Sequence, residues 1–285
     1  MSDRRFSLGI LFQDNADCGL THDFFAAILN GFKKEAENLG YEITFINTKK
    51  DKLHGETYYE HIKAKEYDGV AVICADMKDK DVIDVIESEV PVVTIDEAYN
   101  GVCSILSDNA QGIRNLVYYI AEMGHKKIAY IYGDMNTVTA LRIKNFKEAC
   151  DEMRIDVPDE YLRASNYRNL AKTAYETEEL LRLPDPPTCI VFPDDYASIA
   201  GMNAIKARGL DIPTDISIAA YDGLDIPSRY DPQLTTVRQR CDEIGKVAAD
   251  KLVELIEHPD TASIADVSID TDLIKGASVG KKYFA

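Results

Sequence analysis

The stretch AAYDGLDIPSRYDPQLTTVRQ, residues 219–239, decides how the chain is read. Its first part completes an apolar run, SIAAYD, that ends on a carboxylate, Asp222, in a Tyr-Asp-Gly turn. A strand that ends in this way usually feeds a helix, because aspartate caps the next turn. Here two prolines intervene, and the chain resumes as Leu234-Thr235-Thr236-Val237, a β-prone segment. The expected order is therefore strand, proline corner, strand.

Upstream of that corner the pattern is regular. FSLGILF reads as a buried strand, and residues 23–38 place Phe24, Ala27, Ile28 and Phe32 at helical spacing before Gly40 stops them. YEITFIN, GVAVICA and PVVTID read as further strands, with helices expected over 56–66 and 79–88. The alternation restarts after AEMGHKK: KIAYIYG, EYLRAS, TCIVFP and SIAAYD are strands, and 141–153, 169–182 and 196–208 are helices. Strand and helix in alternation are the mark of βαβ units on a parallel sheet. Two such runs predict an α/β chain of two doubly wound lobes. A further amphipathic helix over 242–257 and one strand in ADVSIDTDLI are surplus to the second run, so the chain is expected to return to the first lobe.

Composition limits the function. With 285 residues, 46% of them hydrophobic, the chain can bury a large core. Its 49 acids outnumber its 32 Lys and Arg, leaving a formal net charge of −17 that repels phosphate backbones. No apolar run approaches the roughly 18–20 residues that span a bilayer, and no secretory h-region follows Met1, so a cytoplasmic protein without membrane partners is expected. The six cysteines are dispersed with no C-x-x-C pair, which reads as reduced packing residues rather than a metal site. No phosphate loop, Gly-x-Ser-x-Gly or His-Glu-x-x-His motif is present, so neither an enzyme nor a cofactor is expected.

Strand ends carry the candidate site. In open parallel sheets ligands lie beyond the carboxyl ends of the strands. Those ends here bear Phe12-Gln13-Asp14-Asn15, Asp76, Asp96, Asp134, Asp194-Asp195 and Asp222. Carboxylates and amides suit a neutral polyhydroxylated ligand, since each carboxylate accepts several hydroxyl hydrogen bonds. Helix capping is the competing explanation for any one of these aspartates. It fits Asp222 least, because no helix follows.

Seven segments in order (INTKKD, YDGVAV, SDNAQG, MGHKKIAYIYG, ALRIKNF, the FPDD-to-YDG stretch and PQLTTVRQ) resemble the effector-binding domain of the lactose-repressor/galactose-repressor (LacI/GalR) transcription regulators. The resemblance covers essentially the whole chain. It implies a periplasmic-binding-protein-like type I fold with three crossovers, near Gly124, Val237–Gln239 and Pro259–Ala265. The lobes would then be 1–123 plus 238–260 and 124–237 plus 261–285, without the helix-turn-helix headpiece of that family.

By position, the resemblance implies ligand contacts at Arg142, Asp222, Asp194, Asp195, Asp108 and Tyr167, with Cys241 on the pocket wall; Phe12 and Asn15, at the end of the first strand, are expected to contact the ligand as well. It implies a small effector such as a sugar bound between the lobes, a homodimer, and operator DNA reached only through the headpiece. A stand-alone solute-binding protein of a transporter is the alternative. Departures from the family pattern are Asp in place of Asn at 194, Asn145 where glycine is usual, an altered THDFF segment at 21–25 behind a longer loop, and no tryptophan.

Overall fold

The structure is a computed structural model that describes residues 6–13, 19–46, 55–224 and 231–282. The chain divides into two compact units, Met1–Ser107 with Arg240–Ile269 and Asp108–Gln239 with Asp270–Ala285.

The first unit contains β1 (Ser7–Phe12), α1 (Asp23–Asn38), β2 (Glu42–Phe45), α2 (Tyr58–Lys65), β3 (Gly69–Ile73), α3 (Lys80–Ile86), β4 (Val92–Ile95) and β5 (Cys103–Ser107). The second runs through α4 (Asn109–Glu122), β6 (Ile128–Tyr132), α5 (Thr137–Glu152), β7 (Leu162–Ala164), α6 (Leu170–Leu181), β8 (Cys189–Val191), α7 (Asp195–Ala207), β9 (Ser217–Asp222) and β10 (Thr235–Gln239). The chain then supplies α8 (Cys241–Glu257) and β11 (Val267–Ile269) to the first unit and β12 (Thr271–Ile274) to the second.

Each unit holds a six-stranded sheet, ordered β11-β5-β4-β3-β1-β2 in the first and β12-β10-β9-β8-β6-β7 in the second. All pairings are parallel except β10 with β12. The expected doubly wound α/β architecture is present twice.

In the first unit α1 and α8 cover one face of the sheet, burying Phe24, Ile28 and Phe32 against Ile244, Ala248 and Leu252. Each of the larger of these side chains, the phenylalanines, isoleucines and leucine, contributes about 1.5–3 kcal/mol by leaving water. Two glycines let the helices approach this closely. A β-carbon at Gly245 would lie 2.0 Å from the Ile28 carbonyl oxygen, and one at Gly31 would lie 2.3 Å from that of Asp242. In the second unit the sheet is covered on one face by α4 and α5 around Tyr130, Phe146 and Tyr221. The opposite face packs Phe192, Met202 and Ile205.

Three features differ from the sequence reading. Strand β5 and helix α4 fall where no element was expected. CSILS is short and half polar, yet Ser104 and Ser107 are buried with Cys103 and Ile105. Helix α4 sits in the second unit, where Ile113, Leu116, Val117 and Ile120 share a core with Tyr130 and Val237. The units therefore divide after Ser107, not near Gly124. Finally, ADVSIDTDLI is two strands: β11 pairs with β5 of the first sheet, whereas β12 pairs with β10 of the second. Alternation along the run does not reveal a change of sheet at Asp270. The opening stretch resolves as strand, corner, strand, with β10 parallel to β9 and Val237 opposite Tyr221.

Candidate functional site

The carboxyl edge of the second sheet gathers most of the residues singled out from sequence. Strand β6 runs into Gly133 and Asp134, and Asn136 caps α5 by accepting from Thr139 N at 2.8 Å. The buried stripe of α5 is Val138, Thr139, Arg142, Asn145, Phe146, Ala149 and Cys150. An arginine in that stripe is the anomaly, because a charge is costly to bury without a partner.

Arg142 is 2% exposed. Its Nε donates to Asn109 Oδ1 at 2.8 Å, and its guanidinium carbon lies 3.6 Å from the Tyr221 ring centroid. Among the described residues neither Nη makes a hydrogen bond or an ion pair. Burial opposes the charge, but Tyr167, Tyr221, Tyr130 and Asp222 outweigh it and hold the group firmly protonated. The two Nη groups of a fixed, planar fork, with four N–H donors between them, are thus left to meet an acceptor from outside the protein.

The surrounding residues are fixed by their own partners. Asp108 caps α4, accepting from Gln111 N at 2.9 Å, and its charge bears on Tyr221. The Tyr167 amide donates to Asp134 Oδ2 at 3.1 Å, and its hydroxyl pairs with Thr139 Oγ1 at 2.7 Å. Its ring lies so close to Gly133 that a β-carbon there would be 2.5 Å from ring atoms. Asp222 is buried and accepts from Gln239 Nε2 at 2.8 Å.

Asp194 and Asp195 start α7 with their oxygens committed to the fold. Asp194 accepts from Ala197 N at 2.6 Å and from Arg168 N at 2.9 Å. Asp195 accepts from Leu224 N at 2.7 Å and Thr236 Oγ1 at 2.5 Å. Burial raises the pKa of Asp194, and it raises that of Asp195 well above the usual carboxylate range with help from the charge of Asp222.

Arg142, Asp222, Asp108 and Tyr167 therefore share one neighbourhood, and Asp194 and Asp195 brace it. Phe12 and Cys241 belong to the first unit, in its buried core: Phe12 ends β1 with its ring edge-on to Phe25 at 5.9 Å, and Cys241 begins α8. Asn15 lies outside the described residues. Sequence reasoning missed Asn109, Tyr221 and Gln239. Their signal was adjacency, since each stands beside or within a motif already quoted, but apolar burial and amide chemistry gave no reason to prefer them. Among the described residues no cluster of His, Cys, Asp or Glu is arranged to hold a metal, and Cys103, Cys150 and Cys189 are buried free thiols.

Residues 117–279 match the model of the periplasmic binding protein-like domain. The chain belongs to that family. It is homologous to LacI-type repressors. It is 29% identical over 264 residues to the HTH-type transcriptional repressor PurR of Mannheimia succiniciproducens, covering 90% of this chain and 78% of the repressor. Two solved structures share the fold. A LacI family transcriptional regulator from Enterococcus faecium with bound ribose superposes with a TM-score of 0.81 at 20% identity, covering 97% of this chain and 100% of that one. The lac repressor dimer bound to operator and an anti-inducer gives 0.83 at 21% identity, covering 98% and 96%. No described helix of this periplasmic binding protein-like chain is long and apolar enough to cross a membrane.

Proposed function

We propose that the chain is the effector-sensing part of a LacI-type transcriptional regulator, and that the carboxyl edge of its second sheet takes a sugar or closely related polyol. The buried Arg142 carries this reading. Its two Nη groups have no acceptor among the described residues, although the cation has been removed from water. Vicinal hydroxyl and ring oxygens offer two acceptors at the spacing of the guanidinium fork. Asp222 and Asp108 add acceptors for hydroxyl protons, and the Tyr167 ring adds an apolar face.

No chemical step is assigned to the site. Its groups donate and accept hydrogen bonds, and binding biases a conformational equilibrium only by its differential affinity for the two states. In the regulator this bias would be read by a homodimer on its operator. With a formal net charge of −17, these residues are not proposed to hold DNA themselves.

A thermal-shift panel of D-ribose, D-galactose, cellobiose, adenine and L-glutamate tests the proposal. A cognate ligand at 100 times its Kd adds about 2.7 kcal/mol, a Tm rise of roughly 5–10 °C. At least one sugar is expected to give that rise and to lose it in Arg142→Met. Stabilisation by adenine or L-glutamate alone would overturn the sugar assignment.

A further inference from the structure

Six non-glycine residues among those described have positive φ: Glu66, Cys74, Asp96, Arg154, Arg168 and Asp222. Glu66 is the left-handed C-cap of α2, and Arg154 directly follows the C-cap of α5, where such conformations commonly end helices. Asp222 is the most extreme. Its φ of +103° lies beyond the left-handed well that aspartate tolerates, in a region that glycine occupies at no steric cost. The following Gly223 also has positive φ, at +65°, and a β-carbon there would meet the Arg238 Cα at 2.3 Å.

This turn is held from both sides. Asp195 accepts from the amide of Leu224, two residues beyond Asp222, and also from Thr236 of β10. Gln239, at the end of β10, donates to the Asp222 carboxylate itself. The conformation so maintained keeps that carboxylate where its charge acts on Arg142 and Asp195. Non-glycine residues in such regions persist only where surrounding structure over-determines them, and they concentrate at functional sites.

We propose that Asp222 presents its carboxylate from a strained backbone position suited to glycine, and that Asp195 and Gln239 are positioning residues that hold it there. The importance of that carboxylate rests on the sensor reading above. The tests below use ligand-free protein, so a failed ligand screen leaves them standing.

Asp222→Gly and Asp222→Ala delete the same carboxylate and differ only in the β-carbon. In a relaxed loop the alanine variant is the more stable, because glycine gives the unfolded chain more freedom. Strain reverses the order, and Asp222→Gly is expected to melt about 3–6 °C above Asp222→Ala. An equal or lower Tm for Asp222→Gly overturns the strain. For positioning, Asp195→Ala and Gln239→Leu are each expected to lower the Tm of the parent at least twice as much as that of Asp222→Gly, in which the turn no longer needs holding. Equal decrements in the two backgrounds overturn the positioning role, since an ordinary packing contact would be lost alike in both.

Discussion

The guanidinium of Arg142 is stacked on the ring of Tyr221, 3.6 Å from its centroid, while Asn109 takes the Nε proton at 2.8 Å. Stacking fixes the plane of the fork, and the single hydrogen bond fixes its rotation within that plane. The two Nη groups, with their four N–H donors, are left at one edge. A cation over a tyrosine face is stabilised by the ring quadrupole by about 2 kcal/mol when desolvated.

Tyr221→Phe is therefore expected to keep both stacking and ligand affinity, because the Tyr221 hydroxyl has no hydrogen-bond partner among the described residues. Tyr221→Leu removes the ring and should weaken binding of a stabilising sugar about tenfold or more, a loss of roughly 1.4 kcal/mol. Titration calorimetry on the two variants separates ring from hydroxyl. Equal affinities in both would show that Tyr221 does not orient Arg142.

Asp195 gives a prediction with a defined sign. Its folded pKa is raised chiefly by burial and next by the charge of Asp222, so the folded state favours the protonated acid. At neutral pH this group opposes stability, and the opposition fades as pH falls through its folded pKa. Asn is the neutral isostere, able to accept from Leu224 N and donate to Thr236. Asp195→Asn should thus melt at or above the parent at pH 7, with the gap closing on acidification. A variant that melts well below the parent at pH 7 would mean that the charged form is the one the fold requires.

Much of this was legible in sequence, for identifiable reasons. Parallel strands buried on both faces leave continuous apolar runs such as GVAVI and SIAAYD, and the helices between them keep a 3.6-residue period. Asp222 stood out because a corner follows it. Strand β5 was hidden because two of its five residues are serines that nonetheless lie buried, with Ser104 Oγ accepting from Tyr99 N at 3.2 Å. The change of sheet at Asp270 was hidden because both β11 and β12 are three- or four-residue strands in one run. Asp194 and Asp195 read as ligand contacts, and their present hydrogen bonds show a bracing role that composition does not express. Asn109 was illegible because the decisive fact is its neighbour across α5, 33 residues away.

The packing of α1 on α8 predicts a large effect from a small change. Gly245→Ala would place a β-carbon 2.0 Å from the Ile28 carbonyl oxygen and 2.6 Å from Phe32 N, both rigid helical backbone. In an isolated helix the same substitution would be favourable by up to about 1 kcal/mol. Here the helices must separate, at an overpacking cost of about 1–3 kcal/mol. A urea melt should show Gly245→Ala destabilised with an unchanged m-value. A stabilised variant would contradict the close approach.

His125 makes the stability of the second unit depend on pH. The ring is fully buried, with Nε2 3.0 Å from the Gly280 carbonyl oxygen and Nδ1 2.8 Å from Thr188 Oγ1. The carbonyl can only accept, so Nε2 carries the proton and Nδ1 accepts from the threonine hydroxyl. This neutral ring clips the segment around Gly280 to the start of β8. Burial lowers its pKa to about 4; the hydrogen bond to Gly280 works the other way, and Lys282 adds to the depression. The unfolded chain, with a histidine pKa near 6.5, binds the proton first. Stability is therefore intact above about pH 6.5 and falls as pH drops toward 4, with about 2 kcal/mol lost by pH 5 at 1.36 kcal/mol per unit. His125→Gln keeps a donor and an acceptor but cannot titrate, so its stability should change less than the parent's between pH 7 and pH 5. Other groups, Asp195 among them, titrate in both proteins, and their contributions cancel in the difference. Chemical denaturation of the pair at the two pH values reads that difference directly, and parallel pH slopes would show that His125 does not resist protonation in the folded chain.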